Sequence, residues 1–336
     1  MAADSDVRDP IDILRSSLQS VCDQLKDKET PCKDVDNFNL EEFWTKMARV
    51  TQALRHEATK FSMAFSKLPA PTPVEKTGLV ADLEKACLAL LAAFSELPLS
   101  RGLTLREEVS GFIWEVLRAV QGMLSAVGTS SSAGLQPVGT CWEKCDAIQR
   151  LSRDNKQAAT SILNGQYGIV QDAAEELDET MRAEEEEPAV AEQPVPVRNG
   201  FHQPRQSTWS LHDRQLLAPG LGLVKTARTT LRKVSSAVCS RGRCHTPEEN
   251  GDLDRLAALA SLSSAHVDDM VTALYPPVFD TAVRDNASEL KKHLLSILDA
   301  TRHSHFYDSS EEWVDFLERA VEHNFGKLCN NTQADS

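Results

Sequence analysis

The chain has 336 residues, which at roughly 150 residues per domain predicts about two domains. Its formal charge of -14, from 36 basic and 50 acidic residues, argues against a globally basic nucleic-acid-binding protein. The first residues have no signal-peptide pattern, the longest wholly apolar run, at 86–94, is too short for a membrane span, and the eight cysteines are then typical of reduced thiols.

Amphipathic helical patterns follow one another through the first half of the chain. Each pattern opens with a capping residue, carries apolar residues about every 3.6 positions and closes near proline or glycine. The clearest one opens with Asn39 and Glu42, which resemble a capping box, and ends at Pro69. The spacing predicts six helices, near 11–25, 40–68, 73–97, 105–127, 141–148 and 153–181.

Charge is concentrated in two blocks of opposite sign around a proline-rich stretch. The segment 171–192 has a local charge of -9, whereas the segment 214–247 has seven bases and no acid. The stretch between them is rich in proline and poor in large apolar residues, which predicts a disordered acidic linker at 184–207. We therefore predict an N-terminal helical bundle at 1–183, a C-terminal bundle at 208–330 and a disordered tail at 331–336.

The helical pattern continues beyond this linker. Ser210 and Asp213 form a capping pair before a long stripe in which Pro219 predicts a kink. Further stripes lie at 253–274, 278–297 and 313–328. Because no segment alternates with period two, the predicted fold class is all-α, as two up-and-down helical bundles joined by the acidic linker.

Three groups of residues have the composition of a chemical site, and each has a simpler structural interpretation. A pair of glycines lacks the other features of a nucleotide-binding loop. Two pairs of cysteines match the spacing of zinc ligands only imperfectly. A pair of histidines has no nucleophile placed with them as a catalytic group. We therefore predict no catalytic residue, no cofactor and no metal. The three groups are Gly220 with Gly222, Cys141 with Cys145 and Cys239 with Cys244, and His303 with His305 near Asp308.

A possible interaction surface lies in the basic block. Lys225, Arg228, Arg232 and Lys233 recur every three to four residues on one predicted helix. No aromatic residue alternates with them for base stacking, and such cations also solvate the outer face of an amphipathic helix. A contact with the acidic block or with an acidic protein partner is therefore favoured over nucleic-acid binding through the basic helix 225–243.

A possible phosphorylation site lies in the loop after this helix. Thr246 is followed by Pro247 and two glutamates, a proline-directed and acidophilic pattern. We expect the added negative charge to pair with Arg241 or Arg243.

Several short motifs occur in an order that resembles one protein family, the cyclin-D-binding protein 1 family, over about 40–328. Each motif alone is unspecific, and their order and spacing carry the resemblance. The motifs are Arg55-His56-Glu57-Ala58-Thr59, Phe65-Ser66-Lys67-Leu68-Pro69, Arg153-Asp154-Asn155-Lys156, Trp209-Ser210, Leu274-Tyr275-Pro276-Pro277 and Val283-Arg284.

The resemblance implies an all-helical, non-enzymatic protein whose two bundles are similar in fold to talin-rod and I/LWEQ modules. It implies a negative regulator of the cell cycle, in cytoplasm and nucleus, that binds D-type cyclins and lowers cyclin-dependent kinase signalling to the retinoblastoma pathway. Helix-loop-helix transcription regulators are the second implied class of partner. The alternative function is that of a cytoskeletal-type helical-bundle adaptor, which the fold analogy supports.

Overall fold

A computed structural model of the chain describes residues 9–26, 38–66, 69–127, 136–186 and 209–332. All regular structure in these ranges is helical, which confirms the predicted all-α class. None of the described helices is both long enough and apolar enough to cross a membrane. The helices are α1 (Pro10–Lys26), α2 (Leu40–Phe65), α3 (Pro73–Phe94), α4 (Leu103–Ser125), α5 (Gln136–Asp146), α6 (Asn155–Glu186), α7 (Leu211–Arg241), α8 (Pro247–Ala260), α9 (Ser263–Leu274), α10 (Asp280–Arg302) and α11 (Trp313–Asn331).

The helices divide into two compact units, Met1–Ala158 and Ala159–Ser336. This division differs from the predicted boundary after residue 183, because most of α6 has its apolar face in the second core. Of the predicted linker, 184–186 form the last turn of α6, and 187–207 lie outside the described residues. The second-core residues of α6 include Ala159, Leu163, Val170, Ala174 and Leu177.

One predicted stripe of the second unit proves to be two helices. The apolar spacing at 253–274 is nearly regular, yet α8 ends at Ala260 and α9 begins at Ser263. The break is short enough to leave the apolar spacing almost unchanged, so Leu253, Met270 and Leu274 all reach the same core. A periodicity argument therefore predicts one helix where the chain makes two.

A buried side-chain amide joins the beginnings of α4 and α6 in the first unit. Asn155 is fully buried, and its side-chain Oδ1 accepts a hydrogen bond from the Leu105 amide at 2.9 Å. Gly102, just before α4, has a φ of 108°, and a Cβ added there would lie 1.9 Å from Asn155 Cγ. The beginning of α4 is thus bonded by a residue fifty positions later, since its N-cap Gly102 has no side chain to accept such a bond, and only glycine fits at position 102.

The indole of Trp44 contacts the residues just before α6. Trp44 Nε1 donates to the Arg153 carbonyl at 2.8 Å, and the Arg153 guanidinium lies 4.9 Å from the centre of the Trp44 ring. Two residues of the Arg153-Asp154-Asn155-Lys156 motif therefore make contacts far away in sequence. The motif holds together the end of the first core and the beginning of α6.

A second tryptophan has the equivalent role in the other unit. Trp209 Nε1 donates to the Leu274 carbonyl at 2.7 Å, and the Trp209 ring stacks on Tyr275 with centroids 5.9 Å apart. Leu274 also lies against Gly220, where an added Cβ would be 2.6 Å from Leu274 Cδ1. Gly220 therefore permits close helix packing in the middle of α7, which supports the structural interpretation of the glycine pair.

The cysteines of the first unit are core residues. The side chains of Cys22, Cys87, Cys141 and Cys145 are all buried. Burial raises the pKa of Cys141 to about 12 and that of Cys145 to about 11. Because the thiolate is the species that binds metal and attacks electrophiles, these four thiols behave as small apolar groups.

A carbonyl that a proline inside α7 leaves without a helical donor is hydrogen-bonded by the last residue of α11. Pro219 has no N–H, so the helix cannot supply a donor to the Gln215 carbonyl. Asn331 Nδ2 donates to this carbonyl at 2.8 Å, and Arg284 Nη2 donates to the carbonyl of Thr332 at 3.0 Å. Asn331 and Thr332, the first two residues of the predicted disordered tail at 331–336, thus make these contacts, and 333–336 lie outside the described residues.

We expect Asn331→Ala to lower the free energy of unfolding by about 0.5–1 kcal/mol, because the Gln215 carbonyl loses its protein donor. Urea denaturation measures the change. The exposed neighbour Asn330 provides the control variant Asn330→Ala. Equal destabilisation by both variants would contradict the proposed role of Asn331.

One buried histidine makes the second unit sensitive to acid. Burial, with a smaller contribution from the neighbouring His266, lowers the pKa of His293 from 6.5 to about 4. The two rings are 4.5 Å apart, and His293 Nε2 lies 3.0 Å from Ser263 Oγ. Ser263 is itself fully buried, so this serine–histidine contact is a core hydrogen bond.

Between pH 7.5 and pH 5, we expect the free energy of unfolding to fall by about 2 kcal/mol more in the wild-type chain than in His293→Gln. Below pH 6.5 the unfolded chain takes up a proton on His293, and the folded chain does so only near pH 4, so acid favours unfolding. Urea denaturation at both pH values measures the difference. His323→Gln, at an exposed histidine of α11, should follow the wild type, and parallel losses in all three proteins would refute the assignment.

Candidate interaction surface

The basic block lies on α7, and α6 runs antiparallel beside it. Near the beginning of α6, Asn164 Oδ1 accepts from Ser235 Oγ at 2.7 Å. Further along α6, Asp178 lies 3.0 Å from Lys225. Residue numbers thus rise along α6 as they fall along α7, which brings the acidic block beside the first half of α7.

The acidic and basic blocks meet within the second unit through two ion pairs. Lys225 Nζ binds Asp178, and Arg214 lies 3.6 Å from Glu184. Glu184 also accepts a hydrogen bond from the Trp209 amide at 3.0 Å. The predicted contact between the two blocks is therefore present at these positions, and Lys225 belongs to it rather than to an open surface.

The other three predicted residues form what we call the α7 basic surface, defined as Arg228, Arg232 and Lys233. Arg232 and Lys233 are exposed, and Arg228 is partly exposed. Among the residues that the structure describes, none of these three cations has a carboxylate within 4.0 Å. They lie on the outer arc of the helix, since the intervening Leu231 and Val234 are fully buried.

The arginines that follow α7 are occupied by structural contacts. Arg241 forms a two-pronged ion pair with Glu311, at 2.8 and 3.1 Å, and donates to the Phe306 carbonyl at 2.9 Å. Arg243 Nε binds Glu249 at 2.6 Å. Neither guanidinium is available for a new partner without the loss of one of these ion pairs.

Thr246 is the N-cap of α8. Its Oγ1 accepts from the Glu249 amide at 3.2 Å, and Glu249 in turn accepts from the amides of Thr246 and His245. Arg243 and these amides lower the pKa of Glu249 to about 2. Phosphorylation of Thr246 stays a prediction, and it would place a phosphate beside Glu249 in competition for Arg243.

The histidines near the last helix do not converge on a reaction centre. His305 Nδ1 lies 2.8 Å from Asp252, rather than from Asp308, and His305 Nε2 accepts from the Arg243 amide at 2.9 Å. His303 instead lies against Asp299. Across the described ranges, no cluster of three or more histidine, cysteine, aspartate or glutamate side chains is arranged to hold a metal ion.

The first unit has an apolar groove that the sequence patterns do not predict. It lies between the end of α1, the end of α3 and the first half of α4, and we call it the α1–α4 groove. Its lining comes from three helices that are far apart in sequence, so no local pattern points to it. Its lining consists of Leu25, Lys26, Phe94, Leu99, Leu103, Arg106, Glu107, Ser110, Gly111 and Trp114.

Two family models match the chain, one for each half. The N-terminal model, described as Grap2 and cyclin-D-interacting, matches residues 46–183, and the C-terminal model of the same description matches 170–299. The two matches overlap within α6, the helix that begins in the first unit and continues into the second.

Relatives match the chain over nearly its whole length. A Xenopus laevis protein named cyclin-D1-binding protein 1 homolog is 34% identical over 331 residues, which cover 97% of this chain and 99% of that protein. A Danio rerio protein of the same name is 34% identical over an alignment that covers 97% of this chain and 96% of that protein. Human cyclin-D1-binding protein 1 is 28% identical, with coverage of 89% and 87%.

These matches confirm the resemblance carried by the ordered motifs. The motif residues Arg153, Asn155, Trp209 and Leu274 make the long-range contacts that close the two cores. With both halves matched and the frog and zebrafish relatives aligned almost end to end, the chain belongs to the Grap2 and cyclin-D-interacting family, which includes cyclin-D1-binding protein 1.

Proposed function

We propose that this chain is a non-enzymatic interaction protein that binds a D-type cyclin. The observation that carries the proposal is its near full-length similarity to proteins named for binding cyclin D1. We further propose that the bound chain acts as a negative regulator of the cell cycle, in cytoplasm and nucleus. In this role it lowers cyclin-dependent kinase signalling to the retinoblastoma pathway.

The packing of the described helices suits a binding role. Polar side chains that resemble catalytic groups are engaged in structural contacts, as His305 is with Asp252 and Arg243. The surface instead offers helical faces held in place by buried cores. Such preformed faces bind partners with little loss of conformational entropy.

The α7 basic surface is proposed to meet an acidic face of a protein partner, the cyclin itself or a helix-loop-helix transcription regulator. Arg228, Arg232 and Lys233 supply cations without a described ion pair, whereas the neighbouring α6 exposes acids such as Glu175 and Glu179. A continuous nucleic-acid backbone would meet those acids as well as the cations. A compact acidic patch on a protein fits this local charge pattern better.

We expect saturable binding between the purified chain and a purified D-type cyclin in calorimetry. Arg228→Glu/Arg232→Glu should weaken it about tenfold at low salt, chiefly through slower association, because like charges then face each other. The matched control is Arg319→Glu/Lys327→Glu, which makes the same charge change at exposed positions on α11. A folded wild-type chain that shows no saturable binding would overturn the proposed function, and equal binding by both variants would remove the basic surface from it.

We also expect the chain to inhibit a complex of D-type cyclin and its kinase. Phosphorylation of a retinoblastoma-protein fragment should slow in proportion to the fraction of cyclin bound, since the bound chain covers surface that the complex needs. A concentration series in a kinase assay measures this. Binding with an unchanged rate of phosphorylation would separate cyclin binding from kinase inhibition.

A further inference from the structure

The link between α7 and α8 carries a Thr-Pro dipeptide that the proposed function does not use. Residues 242–246 form no helix, and His245, Thr246 and Pro247 are exposed. Thr246 is extended, with a φ of -111° and a ψ of 158°. The link lies within the continuous described range 209–332. The Thr246 hydroxyl is therefore accessible to an enzyme that binds an extended chain.

A proline directly after the modified residue is the feature that proline-directed kinases recognise. Because Pro247 has no N–H, it suits a subsite without a hydrogen-bond acceptor, in which the amide of another residue would lose its bond. Pro247 is the first residue of α8, and helix ends fray, so a kinase needs only the first turn to open. The buried residues of α8 begin at Asn250, after most of this turn.

A single carboxylate separates Thr246 from the guanidinium of Arg243. One oxygen of Glu249 lies 2.6 Å from Arg243 Nε, and the other accepts from the Thr246 amide at 3.4 Å. The Arg243 side chain is 58% exposed, so it can turn toward Thr246 without leaving a core. Arg241, by contrast, is held by both oxygens of Glu311. The structure therefore favours Arg243 over Arg241 as the partner of a phosphate on Thr246.

We propose that Thr246 is a phosphorylation site of a proline-directed kinase, and that the phosphate displaces Glu249 from Arg243. In the transfer, the bond between the γ-phosphorus of ATP and the ADP oxygen breaks, and a bond from phosphorus to Thr246 Oγ1 forms. The hydroxyl proton passes to the carboxylate base of the kinase, and ADP leaves. The inference concerns the second unit alone and does not depend on cyclin binding.

The phosphate displaces Glu249 because it carries more charge than a carboxylate. A phosphothreonine carries about -1.5 to -2 at pH 7 and presents three acceptor oxygens, which suit a guanidinium. The two anions also repel each other, and only one of them can hold Arg243 fully. Glu249 does not lose every partner in the exchange, since the His245 amide donates to it at 2.9 Å.

The other charged neighbours of Thr246 are acids or are already paired. They are the exposed Glu248, Asp252 bonded to His305, and Arg241 bonded to Glu311. The phosphate therefore depends on Arg243 for a positive partner. Its formation removes the ion pair between the link and α8, so the modification acts on the packing of this end of the second unit.

The same arrangement occurs once more in the chain, at the start of α3. Thr72-Pro73-Val74-Glu75 is also a Thr-Pro capping box, in which Glu75 accepts from the Thr72 amide at 2.8 Å. Glu75 has no arginine among its described contacts, and the neighbouring Lys76 binds Asp9. Thr72 thus supplies a comparison site with the same dipeptide and cap but without the arginine.

Mapping of phosphate by mass spectrometry tests the modification. The full chain is incubated with ATP and a purified mitogen-activated protein kinase, which is proline-directed and contains no cyclin. We expect phosphate at Thr246, and an about tenfold lower rate at this site in Pro247→Ala, which keeps the hydroxyl. If the active kinase leaves Thr246 unmodified, or if the two proteins react equally fast, the proposal is overturned. Because no cyclin takes part, either result is independent of the proposed function.

Phosphorus NMR of the modified chain tests the exchange of partners. A guanidinium beside the phosphate lowers its second pKa, which is about 6 without a partner. We expect Arg243→Gln to raise this pKa by about 0.5 or more. Arg255→Gln should leave it unchanged, since Arg255 lies about 14 Å along α8 from Thr246. The exposed His245 and Glu248 are the same in all three proteins, so equal pKa values in the wild type and Arg243→Gln would overturn the pairing.

Thr72 adds an internal control where it is phosphorylated as well. A phosphate on Thr72 gives a second resonance, and its pKa should not respond to Arg243→Gln. An equal response of both resonances would show a general effect of charge and would overturn the pairing with Arg243.

Discussion

The hydrogen bond from the Leu105 amide to the buried side chain of Asn155 is the constraint on which the first unit depends. A buried amide is stable only when it is hydrogen-bonded, so the beginning of α4 and the beginning of α6 must form together. The turn at Gly102 exists because the backbone passes directly against Asn155. Leu99 and Leu103 flank that turn, so the exposed wall of the α1–α4 groove is held in place from inside the core.

Amphipathic periodicity was sufficient to predict the fold class, since residues such as Leu54, Leu90 and Val116 are apolar at helical spacing and fully buried. It was not sufficient to predict which core a helix joins. The apolar spacing of α6 is the same whether the helix packs on the first unit or the second, and the proline-rich composition of 187–207 does not indicate which core the preceding helix joins. The bond between Asn155 and Leu105 was equally unpredictable, because its partners are fifty residues apart.

In the candidate surfaces, too, local spacing predicts which residues share a helix face, but not the contacts between residues that are far apart in sequence. Helical spacing placed Arg228, Arg232 and Lys233 on one outer arc, and the structure agrees. It also placed Lys225 there, although an aspartate 47 residues earlier pairs with it. The α1–α4 groove was absent from any local pattern, since its lining comes from three helices that are brought together only in three dimensions. The proposed similarity to talin-rod modules stays a prediction.

The Asn331 contact also bears on how the protein is made. The Gln215 carbonyl on α7 receives its donor from a residue 116 positions later. Until residue 331 has been synthesised and α11 has formed, α7 can coil but its bend at Pro219 lacks this support. The first unit can close earlier in synthesis, whereas the second reaches its final hydrogen bonding only when α11 is in place. A substitution at residue 331 therefore affects a helix that was translated long before it.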